Sequence, residues 1–360
     1  MSSSTLTEAS LDEEKVGSFV GQVIGELGAT VNAALVVIGD ELGLYRAMDG
    51  AGGLTPGELA ETTGTTERYI REWLNAQAAG GYVEYDPEDG RYRLPPEHAV
   101  VLADESSPFF MPGAFQLMTA SVRDEKKIRE AFRSGAGVGW HEHNEGVFEG
   151  CERFFRPSYN ASLVEQWIPA LDGVAEKLSA GGKVADIGCG HGASTILMAE
   201  AFPNSEFVGF DYHEESVLEA RSRAAAAGVA DRVRFEVAPA SGYPGSDYDL
   251  VTTFDCLHDM GDPVGASRHV RDSLAPGGTW MIVEPFAGDR VEDNLNPVGR
   301  VYYGASTLLC TPASLSQEVG LALGAQAGEE RIRDVVISGG LSGFRRAAET
   351  PFNLVFEARH

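Results

Sequence analysis

The sequence predicts an α/β protein in which a doubly wound, mostly parallel sheet follows a smaller helical region. Three observations support this prediction. An apolar strand, residues 184–187, runs into three glycines and then into a helical pattern over residues 193–201. Strand and helix patterns then alternate along the chain, which is typical of a parallel sheet covered by helices on both faces. Before this region, residues 54–94 combine two helical patterns with a hairpin.

Composition indicates an ordinary globular protein with room for two domains. The chain has 360 residues, of which 43% are hydrophobic and 23% are charged, and this length allows two cores. Its formal net charge is −26 at pH 7, which repels nucleic acid and anionic membranes. We therefore expect neither nucleic acid nor a membrane as a partner.

Cysteine spacing and the start of the chain both favour a cytoplasmic location. The four cysteines are Cys151, Cys189, Cys256 and Cys310. They lack C-x-x-C spacing, which is typical of reduced thiols rather than of a disulfide framework. Residues 1–14 are rich in Ser, Thr and acidic residues and lack the pattern of a signal peptide, so we expect a disordered tail there.

Residues 15–100 are predicted to form a helical and winged-helix domain. Between positions 19 and 31 apolar residues recur every four residues, which indicates a helix with one apolar face. Thr55 followed by Pro56 marks the start of another helix, and alternating strands flank a turn at residues 86–90. Because the apolar face exceeds what so small a domain needs for its own core, we expect a homodimer formed through this domain.

An apolar segment of this length also has to be compared with a membrane helix. Gln22, Glu26 and Asn32 interrupt it. We therefore expect the segment to be too polar to cross a bilayer.

Residues 101–180 are predicted to form a helical linker, and residues 181–360 the α/β domain. In the linker, Pro169 is expected to divide an apolar helical face into two helices. The predicted strands of the α/β domain are residues 184–187, 206–210, 233–237, 248–254, 279–284, 344–348 and 352–358. Its predicted helices are residues 193–201, 214–227 and 264–274.

The turn after the first of these strands indicates the class of ligand. A dinucleotide motif has the spacing G-x-G-x-x-G and presents a helix N-terminus to a pyrophosphate. Here Gly188, Gly190 and Gly192 have the spacing G-x-G-x-G, and Asp186 precedes them. A carboxylate at this turn repels phosphate and attracts an ammonium or sulfonium group. Asp211, at the end of the next strand, is placed to accept hydrogen bonds from ribose hydroxyls.

These residues resemble the first motif of the class I S-adenosylmethionine (SAM)-dependent methyltransferases. With the winged-helix region, they make the chain similar, over about residues 15–360, to bacterial small-molecule O-methyltransferases. The resemblance implies a Rossmann-like sheet of seven strands with the last antiparallel, SAM as the cofactor and a small-molecule substrate. It also implies that the N-terminal domain serves dimerisation and, with the linker, the walls of the substrate pocket, rather than DNA binding.

The resemblance implies cofactor contacts at seven positions, which are Asp186, Gly188, Gly190, Asp211, Tyr212, Ala240 and Asp255. The chain departs from the family after its third strand, where an acid often contacts the adenine amino group. Residues 237–241 contain no carboxylate, so backbone groups, Ser241 or apolar packing by Ala238 and Tyr212 are expected to hold the adenine. Each position also has a structural alternative, because glycines and acids at strand ends form tight turns and caps.

A second stretch, Phe254 to Pro263, resembles the family segment whose histidine deprotonates the acceptor hydroxyl. His258 lies in it, and Glu284 ends the following strand. Both strand ends lie at the edge where open α/β sheets bind ligands, and an imidazole oriented by a carboxylate is a general-base pair. His258 and Glu284 are therefore the predicted catalytic residues. The alternative is a histidine that only packs at a strand end, and Met260 stands where the family usually has Trp.

Substrate contacts are predicted for His141, His143, Phe155, Tyr159, Tyr302 and Tyr303. The same side chains would fit a solvated loop or plain core packing. No metal is predicted. A metal site made by His141, His143 and Glu145, or by His258 with Asp259, stays as an alternative.

The sequence therefore predicts SAM-dependent methyl transfer to a small, fairly apolar acceptor, most simply to a hydroxyl oxygen, with His258 as the general base. Transfer to carbon or nitrogen, and a transcription regulator that senses SAM, are the alternatives. A nicotinamide-dependent oxidoreductase is disfavoured by the glycine spacing and by Asp186.

Overall fold

The computed structural model describes residues 11–360. They form two compact units, the first ending at Glu105 and the second running from Ser106 to His360. Of the tail predicted over residues 1–14, the first ten positions lie outside the described residues. The prediction is wrong at its end, because the Asp12 side chain accepts hydrogen bonds from the backbone N–H groups of Glu14 and Lys15 and caps a helix that begins at Glu13.

The first unit contains helices and a two-stranded antiparallel hairpin. Its elements are α1 (Glu13–Glu41), α2 (Leu44–Met48), α3 (Pro56–Thr63), α4 (Glu67–Ala79), β1 (Glu84–Asp86), β2 (Arg91–Arg93) and α5 (Pro96–Leu102). Thr55 and Glu58 form a capping box at the start of α3, and Pro56 occupies its first turn. Two helices followed by a hairpin are the elements predicted for the winged helix.

Helix α1 carries a long exposed apolar face. Its exposed large apolar side chains are Val16, Phe19, Val20, Val23, Ile24, Leu27, Val31 and Ile38. The C-terminal part packs on α4, where Trp73 Nε1 donates to the Leu35 carbonyl at 2.9 Å and Gln77 Nε2 donates to Asn32 Oδ1 at 2.7 Å. By length and composition alone α1 would suffice to cross a membrane. The prediction that its polar residues make it too polar for this is therefore wrong.

The second unit begins with helices that belong to the same compact body as the sheet. They are α6 (Pro112–Ser121), α7 (Glu125–Ser134), α8 (Gly146–Ser162) and α9 (Val174–Ala180), with a π-helical turn from Leu163 to Trp167 between the last two. The linker predicted over residues 101–180 is thus not a separate body, because residues 101–105 belong to the first unit and residues 106–180 to the second.

Within residues 106–360, seven strands form one sheet in the order β5-β4-β3-β6-β7-β9-β8. The strands are β3 (Lys183–Ile187), β4 (Glu206–Asp211), β5 (Val233–Val237), β6 (Tyr248–Phe254), β7 (Leu274–Pro285), β8 (Gly343–Glu349) and β9 (Asn353–Arg359). Neighbours from β5 to β7 pair in parallel, whereas β9 runs antiparallel to both β7 and β8. The predicted Rossmann-like sheet with an antiparallel last strand is confirmed.

Helices cover both faces of this sheet. They are α10 (Ala193–Ala201), α11 (Glu214–Ala226), α12 (Pro263–Ser273), α13 (Pro297–Ala305), α14 (Thr311–Leu315) and α15 (Gly328–Ser338), with a π-helical turn from Ser306 to Cys310. Along β3, Val184 packs into one apolar core, with Trp167 and Met198, while Ala185 and Ile187 pack into the other, which contains Trp280. The strand is buried on both sides, as its continuous apolar sequence predicts.

Candidate active site

The glycine turn after β3 is a tight connection into α10. Gly188, Gly190 and Gly192 all have left-handed backbone conformations, with φ of 72°, 51° and 80°. A Cβ at position 188 would lie 2.7 Å from Cys256 Sγ, and one at position 192 would lie 2.6 Å from Phe235 Cζ. At Gly190 a Cβ would meet nothing within 4 Å. Close packing therefore requires glycine at two of the positions, and open space lies beside the third.

Asp186 supports this turn from inside the protein. Its carboxylate is fully buried and accepts hydrogen bonds from Ser194 Oγ at 2.7 Å, Thr195 Oγ1 at 2.6 Å and Thr252 Oγ1 at 2.9 Å. Burial raises the pKa of Asp186 to about 6, although the three hydroxyl donors oppose the shift. The Asp186 side chain thus lies in the interior beneath the glycine turn, where hydroxyls of α10 and β6 hold it.

Asp211 lies at the end of β4 and holds the turn from the other side. Its Oδ2 accepts a hydrogen bond from Gly190 N at 2.9 Å, and its Oδ1 accepts one from His213 N at 2.9 Å. Burial raises the pKa of Asp211, and the two backbone donors oppose the shift. Tyr212 is 46% exposed beside it, and the Asp211 carbonyl accepts from Ala238 N, two residues before the partly exposed Ala240. The predicted cofactor residues of β3, β4 and β5 therefore share the carboxyl edge of the sheet.

His258 and Glu284 meet at the same edge. His258 lies in a 3-10 turn after β6, and its Nδ1 is 2.6 Å from Glu284 Oε2 at the end of β7. Glu284 Oε1 also accepts a hydrogen bond from Leu257 N at 3.1 Å. Both side chains are only 4% exposed. The carboxylate therefore fixes the ring and the backbone next to it, as the predicted general-base pair requires.

The other ring nitrogen of His258 faces a second acid. Nε2 lies 3.2 Å from Asp259 Oδ1. Burial disfavours the imidazolium, but the charges of Asp259 and Glu284 outweigh it and raise the pKa of His258 well above its ordinary value. Burial also raises the pKa of Asp259. Each ring nitrogen of His258 thus faces a carboxyl group, Glu284 at Nδ1 and Asp259 at Nε2.

Asp255, also predicted to contact the cofactor, has hydrogen-bond partners within the protein. Its backbone is left-handed, with φ of 49°, which is uncommon for a residue other than glycine. Tyr159 Oη donates to its Oδ2 at 2.9 Å, and Asn353 Nδ2 donates to its Oδ1 at 3.1 Å. Burial and the charge of Glu284 raise the pKa of Asp255 to about 8. The Asp255 side chain therefore connects α8 and β9 to the end of β6. No local pattern in the sequence marks Asn353 as one of its partners.

An apolar cluster contributed by the helices adjoins His258 and is called here the helical cluster. It contains buried Leu117, Ala120, Val147, Tyr302, Leu309, Cys310 and Ala325, with partly buried Met118, Trp140, Cys151, Phe154, Val298 and Leu308. Phe155 stacks on Tyr159 next to the sheet core, and Tyr303 is half-buried on α13. Of the residues predicted to contact substrate, Tyr302 thus belongs to the helical cluster, and Phe155 and Tyr159 lie beside Asp255.

The two histidines of the segment before α8 lie apart from this arrangement. His141 is exposed, whereas His143 is buried with Nδ1 3.4 Å from Asp124 Oδ2. Burial lowers the pKa of His143, against the opposing charge of Asp124. Over residues 11–360, the donor atoms of His141, His143 and Glu145 do not come together as a metal site.

One group of donor atoms in the described chain has the proximity that a metal ion needs. His258, Asp259 and Cys310 present a nitrogen, an oxygen and a sulfur that lie within 4.8 Å of one another. Burial raises the pKa of Cys310 to about 12. The prediction stays that no metal takes part.

Comparison with known families identifies both parts of the chain. Residues 30–104 match the Rv2258c-like winged HTH domain family, and residues 178–318 match a methyltransferase domain family. The chain combines a winged HTH domain with a methyltransferase domain. The methyltransferase domain contains the glycine turn, Asp211, His258 and Glu284, so the resemblance inferred from these motifs is confirmed.

Curated relatives are similar to a part of the chain. The 27-O-demethylrifamycin SV methyltransferase of Amycolatopsis mediterranei is 41% identical over 104 residues. The match covers 28% of this chain and 38% of that protein, so it spans well under half of the relative's length.

Solved structures resemble the whole chain in fold. Human N-acetylserotonin methyltransferase, crystallised in complex with SAM, has a TM-score of 0.71 at 16% identity and covers 98% of this chain and 99% of its own. An O-methyltransferase family protein from Burkholderia thailandensis has a TM-score of 0.67 at 18% identity and covers 94% and 98%. At this identity the likeness shows a shared fold and nothing more.

Proposed function

We propose that this protein is a SAM-dependent methyltransferase that acts on a hydroxyl group of a small molecule. The observation that carries the proposal is the meeting of two sets of residues at one edge of the sheet. Gly188 packs directly against Cys256, two residues before His258, so the cradle for the cofactor and the His258–Glu284 pair are adjacent. A donor and an acceptor bound at these two places would be held next to each other, and such positioning accounts for much of the rate in transfer reactions.

The residues at the cradle fit SAM. Each Asp211 oxygen accepts one backbone hydrogen bond and keeps a lone pair for a ribose hydroxyl. Open space adjoins Gly190, and Tyr212 is exposed enough to cover an adenine ring. SAM, when bound, supplies a methyl group on a positively charged sulfur, which the surrounding carboxylates attract. The human enzyme with the same fold, crystallised with SAM, supports this choice of cofactor.

His258 and Glu284 are proposed to handle the proton of the acceptor. The O–H bond of the acceptor breaks as its proton passes to His258 Nε2, which leaves the electron pair on the oxygen that takes the methyl group. Glu284, at 2.6 Å from Nδ1, keeps that nitrogen protonated and stabilises the imidazolium that forms. In this scheme the acceptor hydroxyl approaches Nε2 beside Asp259 Oδ1, which lies 3.2 Å from the same nitrogen.

The helical cluster supports a small, fairly apolar acceptor. It adjoins His258 through Cys310 and presents mainly aliphatic, aromatic and sulfur-containing side chains. The name of the relative from Amycolatopsis mediterranei, an O-methyltransferase of a rifamycin, supports oxygen as the acceptor atom. Transfer to carbon or nitrogen is the alternative outcome when the methylated product is analysed.

Calorimetry and thermal melting test the choice of cofactor. SAM and its demethylated product should bind and raise the melting temperature, because a ligand at 100 times its Kd stabilises the folded state by about 2.7 kcal/mol. NAD should give no shift. Asp211→Ala should reduce the SAM shift strongly, and the matched variant Asp231→Ala, at a 75% exposed side chain, should not. Equal shifts with NAD, or no heat with SAM, would exclude the methyltransferase proposal.

A homodimer through the first unit is the second part of the proposal. The exposed apolar face of α1 is longer than a monomer keeps in water without a partner. A membrane is disfavoured as that partner, because residues 32–35 are already hydrogen-bonded to α4 and acidic residues stand at both ends of the helix. A second copy presents the same apolar face, so pairing of the two α1 helices would bury the exposed apolar side chains of both.

A SAM-sensing transcription regulator is the second candidate, and the match to a winged HTH domain favours it. The charges of that domain oppose DNA binding. On α4, Arg68 pairs with Glu72 at 2.6 Å and Arg71 with Glu67 at 2.5 Å. On the hairpin, Arg91 pairs with Glu58 at 2.8 Å. These cations are therefore partly neutralised before any phosphate approaches, so we propose that the domain does not bind nucleic acid.

A further inference from the structure

The turn that carries His258 and Asp259 is held from behind by residues 314–322, called here the bracing loop. Four hydrogen bonds join it to the backbone of residues 259–261. Gln317 Nε2 donates to the Asp259 carbonyl at 2.9 Å, and Gln317 Oε1 accepts from Gly261 N at 3.0 Å. Ser314 Oγ donates to the Met260 carbonyl at 2.8 Å, and Leu321 N donates to the Gly261 carbonyl at 2.9 Å.

The bracing loop adopts backbone conformations that its residues do not favour. Val319 and Ala322 are left-handed, with φ of 74° and 49°, and for a β-branched residue such as valine this is a strained conformation. Val319 is 72% exposed, so packing of its side chain does not compensate. Strain of this kind persists only where other contacts determine the backbone.

Ser314 supplies the contact that joins the strained part of the loop to the turn. Its Oγ accepts a hydrogen bond from Ala322 N at 3.0 Å while it donates to the Met260 carbonyl. The residue is fully buried. Loss of its hydroxyl would therefore leave the partly buried Met260 carbonyl and Ala322 N–H without this partner, which costs more than the loss of a fully exposed hydrogen bond would.

The turn and the loop also pack too closely to shift independently. A Cβ at Gly261 would lie 2.5 Å from Gln317 Cβ and 2.6 Å from the Glu318 carbonyl. The backbone at residues 259–261 therefore takes the position that the bracing loop allows. That position decides where the Asp259 carboxylate points, and in the structure it points to His258 Nε2 at 3.2 Å.

We infer that Ser314 is a positioning residue for His258, which it serves by holding the Met260 carbonyl and thereby the contact between Asp259 and Nε2. The inference rests on the proposed function, in which Nε2 takes the proton of the acceptor. Ser314 itself touches neither reacting group. It acts through the backbone of the turn.

Titration of His258 by NMR on protein labelled with ¹⁵N-histidine tests this inference directly, with His258→Gln to assign the signal. The midpoint of the wild-type protein should lie well above 6.5, because the charges of Asp259 and Glu284 together stabilise the imidazolium against burial. Ser314→Ala should release Asp259 and lower the midpoint by about one pH unit. Ser314→Thr, which keeps a hydroxyl, should restore it. Ser316→Ala is the matched control, since Ser316 is exposed and its Oγ donates to the Ala313 carbonyl, away from the turn.

An unchanged midpoint in folded Ser314→Ala would overturn the inference. If that variant fails to fold, Gln317→Leu replaces it, because Gln317 is exposed and its loss removes two other bonds to the turn. A lowered midpoint there supports the bracing loop, and an unchanged one overturns the inference. The titration needs neither SAM nor an acceptor. A protein that shows the shift but binds no SAM would therefore contradict the proposed function and leave the positioning role standing.

Discussion

One carboxylate, that of Glu284, holds both the ring and the backbone of the turn that carries His258. Its two oxygens contact His258 Nδ1 at 2.6 Å and Leu257 N at 3.1 Å. A carboxylate used in this way fixes the tautomer of the imidazole as well as its orientation. Substitution of His258 or Glu284 should therefore lower turnover without lowering the affinity for SAM.

His258→Ala should therefore reduce turnover by about 10²–10⁴-fold, the usual contribution of a general base, and leave SAM affinity nearly unchanged. Glu284→Gln should cost less, because the amide keeps a hydrogen bond but not the charge. The measurement is turnover with an identified acceptor alongside SAM calorimetry. His141→Ala, at an exposed histidine, should behave as wild type. Wild-type turnover in His258→Ala would show that another group takes the proton.

The pH dependence of turnover follows from the same pair. His258 accepts a proton only when it is neutral, and its pKa is raised well above the ordinary value of about 6.5. Turnover should therefore rise with pH through a midpoint above 6.5. Glu284→Gln removes one of the charges that raise this pKa, so the rising limb should move to lower pH while the maximum falls. A limb below 6.5 in the wild-type enzyme would contradict this assignment.

His258 and Glu284 could be predicted from the sequence, because both have side chains suited to proton transfer and both lie at the ends of consecutive strands. Site residues could not be predicted where they contact each other across a long stretch of sequence. Asn353 donates to Asp255 from 98 positions away, and no local pattern marks it. Asp186 was recognised as part of the motif, but its inward position depends on hydroxyls from both α10 and β6.

Among the elements, α1 leads to the clearest prediction. Phe19 is 64% exposed and Leu27 is 63% exposed on its apolar face, so a charge there would be buried in a dimer and harmless in a monomer. Phe19→Asp with Leu27→Glu should convert a dimer to a monomer near 38.4 kDa in light scattering without lowering SAM affinity. Tyr69→Asp, at a 79% exposed aromatic on α4, provides a control outside α1.

A wild-type monomer at micromolar concentration would contradict the dimer. Co-flotation of the wild-type protein with vesicles of neutral lipid, lost in the same double variant, would instead assign the apolar face of α1 to a membrane. Light scattering and co-flotation use the same double variant, so together they show whether the exposed side chains of α1 contact a second copy or a membrane.

Elements of the sheet were predictable because most of its strands are apolar or alternating runs bounded by turn residues. Six of them begin and end within one position of their predictions, whereas β7 begins at Leu274 rather than at position 279. Helices α13 to α15 were not predicted. The segment that contains them includes one π-helical turn and the left-handed residues Val319 and Ala322. Contacts such as those of Ser314, rather than local preference, set these conformations. The tail prediction failed at Asp12 because a single capping side chain extends α1 by a turn.

The net charge of the whole chain predicts that the protein does not bind DNA. The net charge of −26 adds long-range repulsion to the local pairing of arginines on α4 and the hairpin. Gel-shift assays with genomic fragments should show no binding below the micromolar range at physiological salt. Binding that is submicromolar and weakens steeply with salt would contradict this and favour the regulator.

The helical cluster has a consequence for how this protein can change over generations. Within residues 11–360, none of its members lies on a strand of the sheet; they come from α6, α8, α13 and the segments beside them. Substitutions there leave the two cores of the sheet and the glycine turn intact, because those draw on other side chains. A lineage with this architecture can therefore acquire new acceptors while keeping its methyl donor. Directed evolution aimed at a new product should concentrate its libraries on Met118, Phe154 and Leu308.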